Sequence, residues 1–265
     1  MDFNAFLINL APVVLIIIPI ALIYLVLIFR KQLITKQERV LELMAIDENK
    51  YLKDKKLMIK SLSVLGLVIL AFILHSVFHM EPALVAIFGA AILMLITVKD
   101  EHELEHIFAR VEWITIFFFA GLFILVGGLI EIGLISLMAE KMLDFTQGDI
   151  GLTASLILWV SGIASATIDN IPFVATMIPM IQDLAQQMNL AVSSPEINTL
   201  WWSLALGACL GGNGTILGAS ANVIVAGLAA REGKGFSYVQ FLVIAAPLTL
   251  ITLLISHAYI WLRYL

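Results

Sequence analysis

Two short stretches in the second half of this 265-residue chain hold most of its unusual chemistry. In the first, SGIASATIDNIPF at 161–173, Asp169, Asn170 and Pro172 fall together inside an apolar run, flanked by Ser161, Ser165, Ala166 and Thr167. In the second, GACLGGNGTILGASANVIVAG at 207–227, Gly211, Gly212, Asn213, Gly214, Thr215 and Gly218 interrupt another apolar run. Proline removes a backbone donor and clashes with the preceding turn, and clustered glycines erase helical preference, so a helix should open at both places. An ionisable side chain at membrane depth usually faces a partner or a water-filled path, which makes Asp169 the first choice for an ion or proton ligand. Asp169 and Asn170 are also good N-cap residues and Pro172 suits a first helical turn, so capping of the second arm is a compatible alternative. In the second stretch Ser220 and Asn222 open a new half-helix. Its free amides and positive end can hold an anion, while the carbonyls ending the half before it can coordinate a cation. Close helix packing through small residues is the plainer account of these glycines, yet so dense a run of glycine and polar residues exceeds what packing needs.

The elements that must position these residues are membrane helices. The chain is 61% hydrophobic and 13% charged, with a mean hydropathy of +1.02, and a bilayer core of about 30 Å needs roughly 20 apolar residues per crossing. Apolar runs at 7–29, 61–79, 82–98, 113–132, 200–230 and 239–261 give six crossings. A seventh, 152–181, is broken at Asp169, Asn170 and Pro172 into arms of about 15 residues, too short to span, and reads as a re-entrant helical hairpin. With this topology all of the 15 Lys and Arg residues except Lys141 and Arg263 fall on one side. The positive-inside rule then puts both termini outside and the 31–60 connection in the cytoplasm. The expected layout is a first transmembrane helix at 1–30, a linker at 31–60 and a membrane body at 61–265 with its hairpin at 152–181 and a broken helix at 200–230. The linker interleaves Leu33, Val40, Leu41, Met44 and Leu52 with charges, which fits either an amphipathic surface helix or a solvated connection.

Other features argue against other classes. Cys209 is the single cysteine, so the chain forms no internal disulfide and no thiolate metal cluster. No nucleophile elbow, phosphate-cradling loop, HExxH or CxxC spacing occurs, and nothing indicates an enzyme, a cofactor or a nucleic-acid partner. His102, Glu103, Glu105 and His106 flank what reads as a short cytoplasmic turn rather than a metal site. His75 and His79, followed by Glu81, read as a structural interfacial pair, a proton relay being the alternative. Glu112 and Glu131 bracket a crossing, and Trp201 with Trp202 reads as an interfacial anchor. The first apolar run is too long for a signal-peptide core and reads as a permanent helix.

The stretches SATIDNIPFVATMIP (165–179), LWWSLALGACLGGNGTILGASANVIVAG (200–227) and VEWITIFFFAGLFILVGGLIEIG (111–133) resemble the ArsB/NhaD/P-protein group of the ion transporter superfamily, with its citrate-transporter-like domain. The likeness extends over nearly the whole chain. It implies an inverted-repeat secondary transporter in which each half supplies one hairpin and one unwound helix. Ser165, Asp169 and Asn170 would then be hairpin-tip ligands, and Gly212, Asn213, Thr215, Ser220 and Asn222 would line the unwound loop. It further implies alternating-access transport at the cell membrane of a small ion: arsenite-type oxyanion efflux, Na⁺/H⁺ antiport, or carriage of a citrate-type carboxylate, with Na⁺ or H⁺ as coupling ion. The chain holds one hairpin and one broken crossing, matching a carboxyl-terminal half. Its expected partners are the lipid bilayer and an amino-terminal half or further copies of itself, the alternative being a non-transporting remnant or accessory subunit.

Overall fold

The computed structural model describes residues 3–34, 40–41, 44–45, 52, 54–78 and 80–265, and among these all regular structure is helical, with no strand. The helices are α1 (Phe3–Phe29), α2 (Lys55–Phe78), α3 (Pro82–Thr97), α4 (Glu101–Phe108), α5 (Trp113–Glu131), α6 (Leu134–Thr146), α7 (Ile150–Thr167), α8 (Asn170–Gln187), α9 (Pro195–Gly211), α10 (Ser220–Arg231) and α11 (Tyr238–Tyr264). Five are long and apolar enough to cross a membrane: α1, α2 over Lys55–His75, α5, α7 and α11. The chain is thus a multi-pass membrane protein.

Local chemistry sets the boundaries that apolar runs alone misplace. Asp149 caps α7 by accepting from the Leu152 amide at 2.7 Å, directly after Gln147 and Gly148 turn the chain with φ of 52° and 75°. This cap gives α7 18 residues instead of the shorter arm expected, and α8 likewise runs 18 residues, past Pro179 to Gln187. Conversely α3 has 16 residues, about 24 Å at 1.5 Å per residue, less than a hydrocarbon core. The segment expected as a turn around His102 is the helix α4, because Asp100 accepts from the Glu103 amide at 2.8 Å and starts it. The expected surface helix at 31–60 lies largely outside the described residues, as does His79. His75 is buried and its Nδ1–H donates to the Phe72 carbonyl at 2.7 Å.

Two compact units divide the chain, Met1–Ile8 with Leu25–Trp113 and Asn9–Tyr24 with Ile114–Leu265. In the first, α2 and α3 pack so tightly that a Cβ on Gly89 would lie 2.2 Å from Val68 Cγ2, and Lys60 Nζ donates to the Ile96 carbonyl at 2.7 Å. Within the second, α7, α9 and α11 form the core, with Ile157, Leu158, Leu200 and Ile260 almost wholly buried. Glycines set the register of α7 and α9. Gly207 abuts Leu158 and Ser161, Gly211 abuts Gly162, and Gly212 faces Ser165, so both positions rise together and the helices are parallel. Along α11 the order reverses: Leu253 packs on Gly162, His257 on Trp159, and Trp261 on Ser155 and Gly151. This helix therefore runs antiparallel to α7. Trp202 is 3% exposed and belongs to this core, which corrects its reading as an interfacial anchor. Successive helical residues point about 100° apart, so two adjacent tryptophans do not share one surface.

Candidate functional site

Both sequence interruptions are breaks in helix. α7 ends at Thr167, Ile168 is extended, Asp169 leaves helical geometry, and α8 begins at Asn170. Asp169 is the N-cap of α8, its Oδ1 accepting from the Ile171 amide at 3.2 Å, so the capping alternative holds as geometry. α9 gives way at Gly212–Gly214 to a single 3-10 turn, Thr215 is extended, and α10 begins after Ala219.

The two breaks are bonded to each other. Ser165 Oγ donates to the Ala208 carbonyl at 2.6 Å, and Thr215 Oγ1 donates to the Ala166 carbonyl at 2.5 Å. The same Thr215 oxygen accepts from the amides of Leu217 at 3.2 Å and Gly218 at 3.1 Å, folding the loop over it. Asn222 Nδ2 closes the loop from the far side by donating to the carbonyls of Gly212 at 3.1 Å and Thr215 at 3.0 Å. Glycine is required where the strands of the loop touch. A Cβ on Gly218 would lie 2.6 Å from the Gly212 oxygen and 2.7 Å from the Ser165 oxygen, and one on Gly211 would lie 2.2 Å from the Gly162 oxygen.

Of the eight residues singled out from sequence, the structure brings Ser165, Gly212, Thr215 and Asn222 into this one bonded cluster. Asn213 and Ser220 are exposed at the loop, and Asp169 and Asn170 are half-buried at the break before α8. No hydrogen bond among the described residues joins the Asp169–Asn170 pair to α10. Ala219, the N-cap of α10, supplies no side-chain cap, so the Ser220 and Ala221 amides keep hydrogen-bonding capacity while those of Asn222 and Val223 donate to the Ala219 carbonyl.

Sequence reasoning did not single out Thr249 on α11. It is 7% exposed, its Oγ1 lies 3.7 Å from the place a Gly214 Cβ would occupy, and that hydroxyl has no hydrogen-bond partner. The buried hydroxyls of Ser161 and Ser203 share this condition. The available signal for Thr249 was its spacing with Thr252 and Ser256, hydroxyl residues at helical intervals in an apolar helix.

Among known proteins, a sequence profile of the citrate transporter family matches residues 1–207. The chain belongs to the citrate transporter family. An uncharacterized transporter of Mycobacterium tuberculosis is 42% identical over 264 residues, 100% of this chain and 60% of that protein. A 46 kDa membrane protein of Mycobacterium leprae is 40% identical with the same coverage. The P protein of Homo sapiens is 40% identical over 217 residues, 79% of this chain and 25% of that protein, in keeping with the ArsB/NhaD/P-protein resemblance. No solved structure matches. The chain spans about 60% of the length of the mycobacterial relatives it matches. Those alignments include the 212–219 loop and α10, which lie beyond the span of the citrate transporter profile.

Proposed function

We propose that this citrate transporter family chain forms the binding part of a secondary carrier that moves a small carboxylate-type anion across the cell membrane by alternating access. The observation that carries this reading is the bonded meeting of two helix interruptions, Thr215 to Ala166 and Ser165 to Ala208, inside an apolar helical body. Irregular backbone at membrane depth persists only where it is buried in protein or lines a cavity. The uncapped amino end of α10 points its free amides and positive dipole end at the loop, which suits a carboxylate. In this reading α7 and α8 form a re-entrant hairpin. The parallel register of α7 and α9 fits a chain that α8 returns to the face from which α7 starts, and does not fit α7 and α8 as one continuous crossing. In this reading Asn170, Asn213 and Ser220 offer the anion its hydrogen bonds, Asp169 takes the coupling cation, and Ser165, Gly212, Thr215 and Asn222 hold the two breaks together. The 31–60 linker is cytoplasmic and the termini are outside. An inverted-repeat amino-terminal half, or another copy of the chain, completes the pathway.

A second reading, Na⁺/H⁺ exchange, is favoured by Asp169, an ionisable group at a helix break. Arsenite-type oxyanion efflux shares the chemistry of α10. The test is flux in proteoliposomes carrying the chain, alone and with a polypeptide corresponding to the part of the mycobacterial relatives that it does not match. Labelled citrate and dicarboxylates, arsenite, and an internal pH dye under a Na⁺ gradient separate the readings. Carboxylate uptake abolished by Asp169→Asn and by Asn213→Ala, with folding unchanged in both, is the expected result. Full uptake in both variants would remove the loop and the hairpin break from the site.

A further inference from the structure

His257 is an ionisable residue inside the membrane-spanning helix α11, and the binding site above makes no use of it. Its Nδ1 lies 3.2 Å from the indole nitrogen of Trp159 on α7. An indole N–H only donates, so Nδ1 carries no proton here and the neutral ring bears its hydrogen on Nε2. The rings of Trp159 and Trp261 each lie 6.2 Å from the His257 ring, on centroids. Trp261 is itself fixed to α7 by an indole bond of 3.0 Å to Ser155 Oγ. The ionisable groups of the elements packed on α11 are Asp149 before α7, Glu196 and Cys209 on α9 and Tyr24 on α1, with Tyr238, Tyr259, Arg263 and Tyr264 on α11 itself. None is hydrogen-bonded or ion-paired to His257.

We propose that His257 is a proton-binding site of the carrier, and that its protonation is exclusive with the Trp159 bond that pins α7 to α11. A proton arriving from water takes the Nδ1 lone pair. Both ring nitrogens are then donors, and the Trp159 N–H must let go. Trp159 is seven residues before Ala166, about 10 Å along α7, and the Ala166 carbonyl is the one that Thr215 holds. Protonation therefore loosens the α7–α11 seam two turns from the candidate site, and the seam closes again when the proton leaves. This rests on the carrier reading and adds the proton as the coupling ion, at a residue outside both interrupted stretches.

The experiment uses the full chain and two readouts between pH 5 and 8, the range in which histidine changes charge. The first is tryptophan emission of the detergent-solubilised protein, taken as wild type minus Trp159→Phe so that only Trp159 is seen. It should change with pH along a single-site curve, and the same difference in a His257→Gln background should stay flat, because glutamine accepts the indole bond but takes no proton. The second is carboxylate flux against pH. It should vary several-fold in wild type and by less than twofold in His257→Gln. A pH-independent Trp159 signal, or an unchanged flux profile in His257→Gln, would overturn the proposal. If wild type carries no anion, the carrier reading falls, and the emission titration still decides whether His257 binds a proton against Trp159. If His257→Gln does not fold, the wild-type titration decides alone.

Discussion

Gly211→Ala puts one methyl group where the two interruptions meet. The new Cβ would stand 2.2 Å from the Gly162 oxygen, 2.6 Å from its Cα and 2.7 Å from its carbonyl carbon, all backbone atoms that cannot swing aside. Relief requires α7 and α9 to separate by about 1 Å, since close-packed interiors leave no slack to absorb a methyl group. Near the same contact lie the 2.6 Å bond from Ser165 to Ala208 and the 2.5 Å bond from Thr215 to Ala166. Lengthened by that amount, both pass out of normal hydrogen-bonding range. A buried polar group left without its partner costs about 1–3 kcal/mol, so two cost roughly 2–6. Alanine returns about 1 kcal/mol of helix propensity, which leaves a net loss of roughly 1–5 kcal/mol. At ~2–4 °C per kcal/mol, a mid-range loss lowers the melting temperature by roughly 6–12 °C. Thermal unfolding in detergent reads this directly. Gly127→Ala in α5 is the control, because nothing lies within 4 Å of a Cβ there, and it should hold or slightly raise the melting temperature. Equal melting curves for the two variants would refute the claim that the glycine contact sets the distance between α7 and α9.

Thr215→Val keeps the shape of the side chain but removes the donor to Ala166 and the acceptor for two amides. It should destabilise by about 1–3 kcal/mol and slow flux, with Thr215→Ser restoring both, as thermal unfolding and uptake would show. Asn222→Ala should leave α10 helical but release the Gly212 and Thr215 carbonyls, read as faster amide exchange at Leu217 and Gly218 than in wild type. At the start of α2, the amides of Leu57 and Lys56 on its carboxylate hold Asp54 below the usual carboxylate pKa. A folded-state value below the unfolded one means that this cap is fully present above the unfolded pKa and is lost as pH falls through the folded one. The Asp54 carboxyl carbon should therefore titrate at lower pH than in an unfolded peptide, with the Lys56 and Leu57 amide shifts moving together with it.

The two breaks were legible because the residues that cause them, Pro172 and the glycines from Gly211 to Gly218, act on their own backbone. Asp169 caps α8 for the same reason, since capping is decided within a few residues, whereas α10 starts at Ser220 with no side-chain cap from Ala219. The lengths of the crossings were less legible. Whether α7 has arms of about 15 residues or the observed 18 turns on Asp149, a polar residue outside the apolar run, and hydropathy does not weigh such caps. Least legible were the partnerships. Trp159 meets His257 across 98 positions and Ser165 meets Ala208 across 43. Nothing local to a histidine in an apolar helix states that an indole occupies its Nδ1.

Hydrogen-bond capacity at the two breaks also decides which sign of charge the resting site prefers. The carbonyls of Ala166, Ala208, Gly212 and Thr215, which end α7 and α9 or lie in the loop, already accept from Thr215, Ser165 and Asn222. A cation seeking these oxygens competes with donors that are in place. The opposite ends of the helices are unequal. α8 has the Asp169 carboxylate on its first turn, whereas α10 starts from Ala219 and has no side-chain acceptor there. The free capacity of the loop is thus the Ser220 and Ala221 amides at the positive end of α10, a donor pair that suits an anion. In the proposed carrier, positive charge to balance a carboxylate enters at an ionisable group, and Asp169 at the α8 cap and His257 on α11 are two that these helices hold near the breaks and the seam. The second is tied to α7 by a bond that a proton removes. In the proposed carrier an anion at the loop and a proton at the α7–α11 seam would act on the same helix from two turns apart, with α7 itself as the link between them.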